Sequence, residues 1–137
     1  MYELHHQLKQ DTFYLGHFKL CDVLLMNDAR YPWVILVPRR ENITEVFQLS
    51  DADQHLLSIE SANLAKQLSS LVAADKMNIA ALGNIVSQLH IHHVARYQTD
   101  EAWPAPIWGT GSAVIYSEGE SLAVAEQMKM VLKEFLE

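Results

Sequence analysis

Two apolar segments separated by a short turn constrain the fold of this chain more than any other feature. The first segment, residues 18–27, is rich in Leu and Val and runs into NDARYP, whose Asn, Asp and Pro favour a turn. The second segment, residues 33–40, is enriched in β-branched residues and is interrupted by Pro38. Together they predict a β-hairpin.

Two amphipathic helices are predicted, each following a serine that can act as its N-cap. Ser50 precedes the first helix, which continues to about residue 72 with leucines at spacings of seven, four and three, namely Leu57, Leu64, Leu68 and Leu71. Ser117 precedes the second helix, whose apolar face consists of Leu122, Ala125, Met128, Leu132 and Phe135. Both faces need an apolar surface to pack against.

Residues 76–84 and 88–97 are two further strand candidates, and the Gly83-Asn84 pair favours a turn between them. Strands joined by turns rather than by helical crossovers pair antiparallel. The order of the elements therefore predicts an α+β domain with helices packed on one side of an antiparallel sheet. No linker, repeat or low-complexity tract divides the chain, so we expect residues 1–137 to form a single domain.

Composition excludes several classes of function. The net charge of −7 argues against non-specific nucleic-acid binding, which requires a basic surface. The single cysteine, Cys21, cannot form an internal disulfide, which favours a reducing compartment. Neither a secretory leader nor a membrane-spanning run is recognisable in the sequence. We therefore expect a cytoplasmic protein that does not bind membranes or nucleic acid.

The segment SQLHIHH, residues 87–93, contains three of the seven histidines of the chain. In a strand, alternate side chains point to opposite faces, so this segment divides into two sets. The first set is polar and consists of Gln88, His90, His92, Val94 and Arg96. The second set is largely apolar, and His93 belongs to it. We therefore expect His93 to be a structural residue on the core side.

The residues alone leave three interpretations of the polar set. It can be an ordinary exposed surface. It can be a metal site, because two histidines two positions apart can bind Zn²⁺ or Fe²⁺, although no nearby Cys or carboxylate supplies a third ligand. Finally, one neutral imidazole can attack phosphorus while a second holds a proton, and Arg96 on the same face suits phosphate recognition.

The motif QLHIHHV resembles the signature of the histidine triad (HIT) nucleotide hydrolases and transferases, His-φ-His-φ-His-φ-φ, in which φ is apolar. The resemblance continues upstream through ALGN, which is similar to the Gly-Gln turn before the signature, and through the predicted first hairpin. Downstream, VAR is similar to the family's VLPR. The similarity covers about residues 18–97 and implies the HIT-like fold, with an antiparallel sheet of about five strands.

The resemblance implies an enzyme acting at the α-phosphate of a nucleoside phosphoramidate, a mixed anhydride or a dinucleoside polyphosphate. His90 corresponds to the nucleophile that forms a nucleotidyl-histidine intermediate. His92 corresponds to the residue that hydrogen-bonds the phosphoryl oxygens or the leaving group and helps to supply its proton. Asn27, Asn84 and Asn78 fall at or near nucleotide-binding positions. Neither a metal nor another cofactor is implied.

The chain departs from the family pattern at two related positions. Gln88 occupies the place of the first signature histidine, and Trp33 replaces a histidine of the second hairpin strand. These family histidines lie close together and support the nucleophile, so we expect Gln88 to orient His90 by hydrogen bonding without holding a proton. The variant triad leaves an alternative open, a HIT-fold protein that binds nucleotides with little or no catalysis.

Two further expectations concern surfaces around the site. The segment AWPAPIWG contains Trp103 and Trp108, which either pack in the core or an interface, or cover the mouth of the site. Many HIT proteins are dimers, and the apolar set that includes Leu89, Ile91 and Ala95 is compatible with a homodimer. The expected partners are therefore a nucleotide substrate and a second copy of the chain.

Overall fold

The computed structural model describes residues 1–137 and is an α+β domain with one five-stranded sheet, as predicted. The helices and strands are α1 (His6–Asp11), β1 (Thr12–His17), β2 (Cys21–Met26), β3 (Trp33–Pro38), α2 (Asp51–Val72), β4 (Lys76–Ala81), β5 (Ile91–Arg96) and α3 (Glu118–Val131). A short 3₁₀ helix, Val46–Gln48, precedes α2.

All neighbouring strands of the sheet pair antiparallel, in the order β1-β2-β3-β5-β4. Both predicted strand pairs, β2 with β3 and β4 with β5, are confirmed, although residues 82–90 form a loop longer than the predicted turn. The sequence does not predict β1, because this half-buried strand lacks a clear alternation. Its register shifts at Gly16, whose φ of +131° is readily available only to glycine.

The two long helices cover one face of the sheet. The Ser50 and Ser117 side chains accept hydrogen bonds from the third residue of each helix, as predicted. The main core contains the predicted leucines of α2 at positions 57, 64 and 68, whereas Leu71 is only half buried. In the second predicted helix, Ala125, Met128, Leu132 and Phe135 pack on the core as predicted, whereas Leu122 is 63% exposed and Ser121 is buried instead. No helix is long and apolar enough to cross a membrane.

The opposite face of the sheet is covered by α1 and by the irregular segment after β5. Leu8 of α1 packs with Ala102 and Ile107 of that segment in a second apolar cluster. Trp33 and Ile35 of β3 contribute the sheet side of the same cluster. This covering is incomplete near the start of β5, and a cavity lies there.

Candidate active site

His90 and His92 lie side by side on the face of the sheet that α1 covers. Their ring centroids are 4.9 Å apart, and the rings meet edge to face. His90 comes immediately before β5 and His92 is its second residue. Both side chains are mostly buried, at 5% and 6% exposure. The strand parity deduced from the sequence therefore brings these two residues together.

The ring of His90 is oriented by the backbone of Gln88. Its Nδ1 atom lies 2.7 Å from the Gln88 carbonyl oxygen. Because a carbonyl oxygen only accepts hydrogen bonds, the Nδ1 atom carries a proton and donates it. In the neutral ring the Nε2 atom therefore keeps its lone pair, which is the form that can attack an electrophile.

The Gln88 side chain does not orient His90, contrary to the expectation from the sequence. Its Oε1 atom accepts a hydrogen bond from the backbone N–H of His5 at 2.9 Å, and its Nε2 atom donates to the Glu3 carbonyl at 2.9 Å. Gln88 therefore fixes the N-terminal segment beside the site with its side chain and orients His90 with its carbonyl. Neither bond was visible from spacing, because the partners lie more than 80 residues away.

His92 is held in one tautomer by Trp33. The indole N–H of Trp33 donates a hydrogen bond to Nδ1 of His92 at 3.0 Å. Because an indole N–H can only donate, Nδ1 is unprotonated and the ring proton lies on Nε2. Burial lowers the pKa of His92 to about 3, with smaller contributions from His90 and His93. His92 is thus a neutral hydrogen-bond donor.

Aromatic rings enclose His92 on two sides. Trp33 lies 5.5 Å from its ring, and Trp108 lies 5.2 Å away, centroid to centroid. The two indole rings also meet each other edge to face. Trp108 therefore belongs to the site, which supports the covering role for one of the two tryptophans of AWPAPIWG.

A cavity of about 390 Å³ opens beside both histidines and is lined mostly by apolar side chains. Its walls include Leu8, Met26, Ile35, Ile85, Val86 and Trp108. Two polar residues of α1 also line it, Gln7 and Asp11, which the sequence analysis does not single out. Gln7 donates a hydrogen bond to the Asp11 carboxylate at 3.0 Å. Their i, i+4 spacing in HQLKQD is the only signal that marks them.

A second cavity, of about 350 Å³, also borders His90. Its lining is more polar and includes Thr44, Ser87 and Gln88. His90 and Asn84 line both cavities. The structure thus brings the predicted residue Asn84 to the histidine pair, and its side chain is exposed.

Arg96 and Asn78 do not face the cavity, which corrects the prediction that they bind a nucleotide. Arg96 is 1% exposed and forms a two-pronged ion pair with Asp100, at 2.8 and 3.0 Å. It also donates to the Asn78 side chain and to the Ala105 carbonyl, both at 2.8 Å, and lies over the Trp103 ring. Strand parity places Arg96 on the predicted face, but the segment after β5 returns over it. Asp100, Ala105 and Asn78 together accept four hydrogen bonds from its guanidinium group.

The Asn27 side chain also has a different role from the predicted nucleotide binding. Its Oδ1 atom accepts a hydrogen bond from the backbone N–H of Tyr116 at 2.9 Å. It does not line the cavity beside the histidines, whereas its neighbour Met26 does. The Asn27 side chain therefore anchors the segment that leads into α3.

His93 lies on the helix side of the sheet, as expected, and is fully buried. Its Nδ1 atom donates to the Ile91 carbonyl at 3.0 Å, and its Nε2 atom accepts from the Ser61 hydroxyl at 2.7 Å. Burial lowers the pKa of His93 to about 4. Both ring nitrogens are therefore satisfied, and His93 is a structural residue of the core.

The metal-site interpretation needs a third ligand beside His90 and His92. No group of three or more His, Cys, Asp or Glu side chains is arranged to hold a metal ion. Both Nδ1 atoms of the pair are already used, by the Gln88 carbonyl and by Trp33. His90 and His92 therefore lack the third ligand that the metal-site interpretation requires.

The chain is similar to known proteins in both sequence and fold. A family model described as HIT domain matches residues 7–99. Among solved structures, a histidine triad protein from Marinobacter aquaeolei is 47% identical, with 98% of each chain covered and a TM-score of 0.96. Histidine triad proteins from Sinorhizobium meliloti (43% identity, 96% of this chain and 98% of the other, TM-score 0.93) and Bradyrhizobium japonicum (39%, 94% and 96%, TM-score 0.91) are also similar. No curated protein matches the chain.

Proposed function

Because the chain belongs to the HIT family, we propose that it is a nucleotide hydrolase or nucleotidyl transferase that works through a nucleotidyl-histidine intermediate on His90. One observation carries this proposal. The Gln88 carbonyl holds the Nδ1 proton of His90, so that the Nε2 lone pair is free beside a cavity of about 390 Å³. A nucleophile held in this way loses little conformational entropy when it attacks, because its ring is already oriented.

The reaction proceeds in two displacements. The Nε2 atom of His90 attacks the α-phosphorus, the bond from phosphorus to the leaving group breaks, and its electron pair departs with that group. The Gln88 carbonyl stabilises the positive charge of the modified ring, because it accepts the Nδ1–H. Water or another acceptor then attacks phosphorus, the P–N electron pair returns to Nε2, and the proton of the attacking group passes to solvent. Covalent catalysis divides one difficult displacement into two easier ones.

His92 stabilises charge on the phosphoryl group. Its Nε2–H is fixed by the Trp33 hydrogen bond to Nδ1, and its ring lies 4.9 Å from that of His90. A donor that is oriented before the reaction strengthens its hydrogen bond as negative charge develops on the phosphoryl oxygens. Asn84, which borders both cavities, is placed to add a second donor.

The two cavities suggest how the substrate is divided. The mostly apolar cavity suits a nucleoside, because it combines apolar walls with the Asp11 and Gln7 side chains, which can hydrogen-bond a sugar or base. The more polar cavity suits the leaving group or the acceptor. Candidate substrates are therefore nucleoside phosphoramidates, mixed anhydrides and dinucleoside polyphosphates.

A substrate panel read by the release of nucleoside monophosphate tests the proposal. We expect the wild type to release monophosphate from at least one class, and His90→Ala to lose this activity by a factor of about 10³ or more. Protein quenched in acid-free denaturant during turnover should carry the nucleotide on His90, as detected by peptide mass spectrometry. His55→Ala, an exposed histidine of α2, is the matched control and should retain full activity.

Two outcomes would contradict the proposal in different ways. Turnover by His90→Ala at the wild-type rate would exclude His90 as the nucleophile. Binding of AMP or GMP without release of monophosphate from any substrate would instead identify a nucleotide-binding protein without catalysis.

The proposal includes a cytoplasmic homodimer. Strand β4 is an outer strand of the sheet with exposed residues along its length, including Ile79 at 49% exposure, and such an edge can pair with another strand. Sedimentation velocity of the wild type should give twice the monomer mass of 15.6 kDa, and Ile79→Lys should shift it toward the monomer. A monomeric wild type would contradict the proposed homodimer, and recovery of the protein outside the cytosolic fraction would contradict the proposed location.

A further inference from the structure

The Trp33–His92 hydrogen bond restricts what His92 can do. We propose that Trp33 is a positioning residue that keeps His92 a neutral Nε2–H donor and never a general acid, so that the site selects nucleotides whose leaving group departs as a stable anion. This inference rests on the proposed function for its substrate class, but the state of His92 is independent of it. It narrows the role of His92 to hydrogen bonding.

The chemistry of the neutral ring supports the first half of the inference. To release its Nε2 proton, a neutral imidazole must become an imidazolate unless Nδ1 gains a proton at the same time. Nδ1 cannot gain one while it accepts the Trp33 N–H at 3.0 Å. Protonation of Nδ1 would also break that bond and leave the buried indole N–H without a partner, which costs about 1–3 kcal/mol.

The surroundings of His92 do not favour its charged form either. Trp33 from β3 and Trp108 from the segment after β5 are uncharged. The titratable neighbours on its own strand, His90 and His93, are histidines that add no negative charge. Asp11 of α1 is the only carboxylate that lines the cavity, and its Oδ2 atom accepts a hydrogen bond from Gln7.

No other side chain around the pair replaces His92 as the acid. The carboxyl groups that line the two cavities, Asp11 and Glu45, are engaged as hydrogen-bond acceptors. The neutral ring of His90 has a single N–H group, at Nδ1, and it donates this proton to the Gln88 carbonyl. Asn84 and Gln7 carry amides, which donate hydrogen bonds but do not transfer protons. Arg96, the nearest cation along the strand face, is held by Asp100.

The leaving group must therefore carry away the bond's electron pair as an anion or take a proton from water. Phosphate, polyphosphate and carboxylate leave as stable anions when the phosphorus–oxygen bond breaks. An amine cannot leave in this way, because it must be protonated at nitrogen before or during cleavage of the phosphorus–nitrogen bond. Mixed anhydrides and dinucleoside polyphosphates thus rank above phosphoramidates as substrates.

Nuclear magnetic resonance of the protein with ¹⁵N-labelled histidine tests the state of His92 without any substrate. Long-range proton–nitrogen correlations should show Nε2 protonated and Nδ1 unprotonated between about pH 5 and pH 8. In Trp33→Phe, which keeps an aromatic ring but removes the donor, His92 should show both tautomers and titrate at higher pH. Trp103→Phe, the same substitution away from His92, should keep the wild-type spectrum, and circular dichroism checks that both variants fold.

Adenosine monophosphate esters of phenols test the leaving-group requirement by kinetics. A general acid is worth on the order of a hundredfold or more, so without one the phenyl ester should be cleaved about a hundredfold more slowly than the p-nitrophenyl ester. Adenosine phosphoramidate should also be slow relative to the p-nitrophenyl ester. Trp33→Phe should reduce the ratio between the two esters, whereas Trp103→Phe should leave it unchanged.

The results separate this inference from the proposed function. Protonated Nδ1 on His92 in the wild type, or equal rates for all leaving groups, would overturn the inference even if His90 becomes nucleotidylated. If no compound is cleaved, the proposed function fails, and the spectrum of His92 in the wild type and in Trp33→Phe still confirms or overturns the positioning role of Trp33.

Discussion

His90, His92 and Arg96 lie on the same face of the β5 region, but the two ends of this face have different environments. At the end with His90 and His92, two cavities open beside the side chains. At the end with Arg96, the segment after β5 folds back, and Asp100 and the Ala105 carbonyl accept hydrogen bonds from the guanidinium group. We call these the open end and the closed end of the strand.

The difference shows that strand parity determines the direction of a side chain but not its access. The closed end is covered by its own sequence neighbours, since Asp100 follows Arg96 by four residues and also accepts two backbone hydrogen bonds, from the N–H groups of Tyr97 and Trp103. The open end is bordered by α1, which is distant in sequence, by the loop before β5 and by Trp108. Function therefore depends on which segments return over the strand.

The largest expected effect is at the closed end. Arg96→Ala should lower the free energy of unfolding by about 3–5 kcal/mol, because it leaves Asp100 buried without its partner. Urea denaturation measures this change. Arg40→Ala, which removes the exposed partner of Asp53, is the control and should cost about 1 kcal/mol or less. If Arg96→Ala is as stable as the wild type but binds nucleotide more weakly, Arg96 is a nucleotide-binding residue and the prediction is wrong.

Acid should act on the two ends in different pH ranges. Unfolded His92 takes up a proton near pH 6.5, whereas the folded residue, with its pKa lowered to about 3, does not, so stability falls as pH decreases below 6.5. The slope is about 1.4 kcal/mol per pH unit for each such histidine, and His93 adds a second. The contribution of Asp100, whose pKa Arg96 lowers from 3.8 to about 2, is complete above pH 3.8 and is lost as pH falls toward 2.

Denaturation at a series of pH values separates these contributions. Between pH 6.5 and pH 4, His92→Asn should reduce the slope of the free energy of unfolding against pH by about 1.4 kcal/mol per pH unit, which corresponds to one proton. Asp100→Asn should leave that slope unchanged and alter only the region below about pH 4. An effect of Asp100→Asn on the slope near pH 6 would contradict the separation of the two ends.

The smallest expected effect distinguishes two asparagines that the sequence treats alike. Asn84→Ala should weaken AMP binding about three- to tenfold, the worth of one hydrogen bond, without changing stability. Asn78→Ala should leave binding unchanged and lower the free energy of unfolding by about 1 kcal/mol, because it removes a partner of Arg96. Calorimetric titration with AMP and urea denaturation measure both. Equal binding by Asn84→Ala and the wild type would exclude the assigned contact.

Much of the fold follows from local sequence. The hairpin of β2 and β3 is marked by two apolar runs and a turn, and α2 is marked by its cap and its leucine spacing, so both are predictable. Strand β1 is not, because it is half exposed and contains a glycine where its register shifts. The face of α3 follows the predicted spacing except at its first residue, where the small Ser121 is buried and Leu122 is exposed.

The candidate site is predictable only in part. Parity and the family resemblance bring His90 and His92 together, because both depend on spacing within one strand. The bonds that determine their tautomers come from Trp33 and from a backbone carbonyl, and neither follows from residue type. Asp11 was missed because it lies in a six-residue helix far away in the sequence.

The three tryptophans of the chain are divided between the two ends. Trp33 and Trp108 border His92 at the open end, whereas Trp103 lies over Arg96 at the closed end. A bound nucleobase quenches the emission of indoles that it contacts, and Trp108 lines the cavity. The intrinsic fluorescence of the protein should therefore report occupancy of the site through Trp108, and Trp103→Phe should leave that change intact.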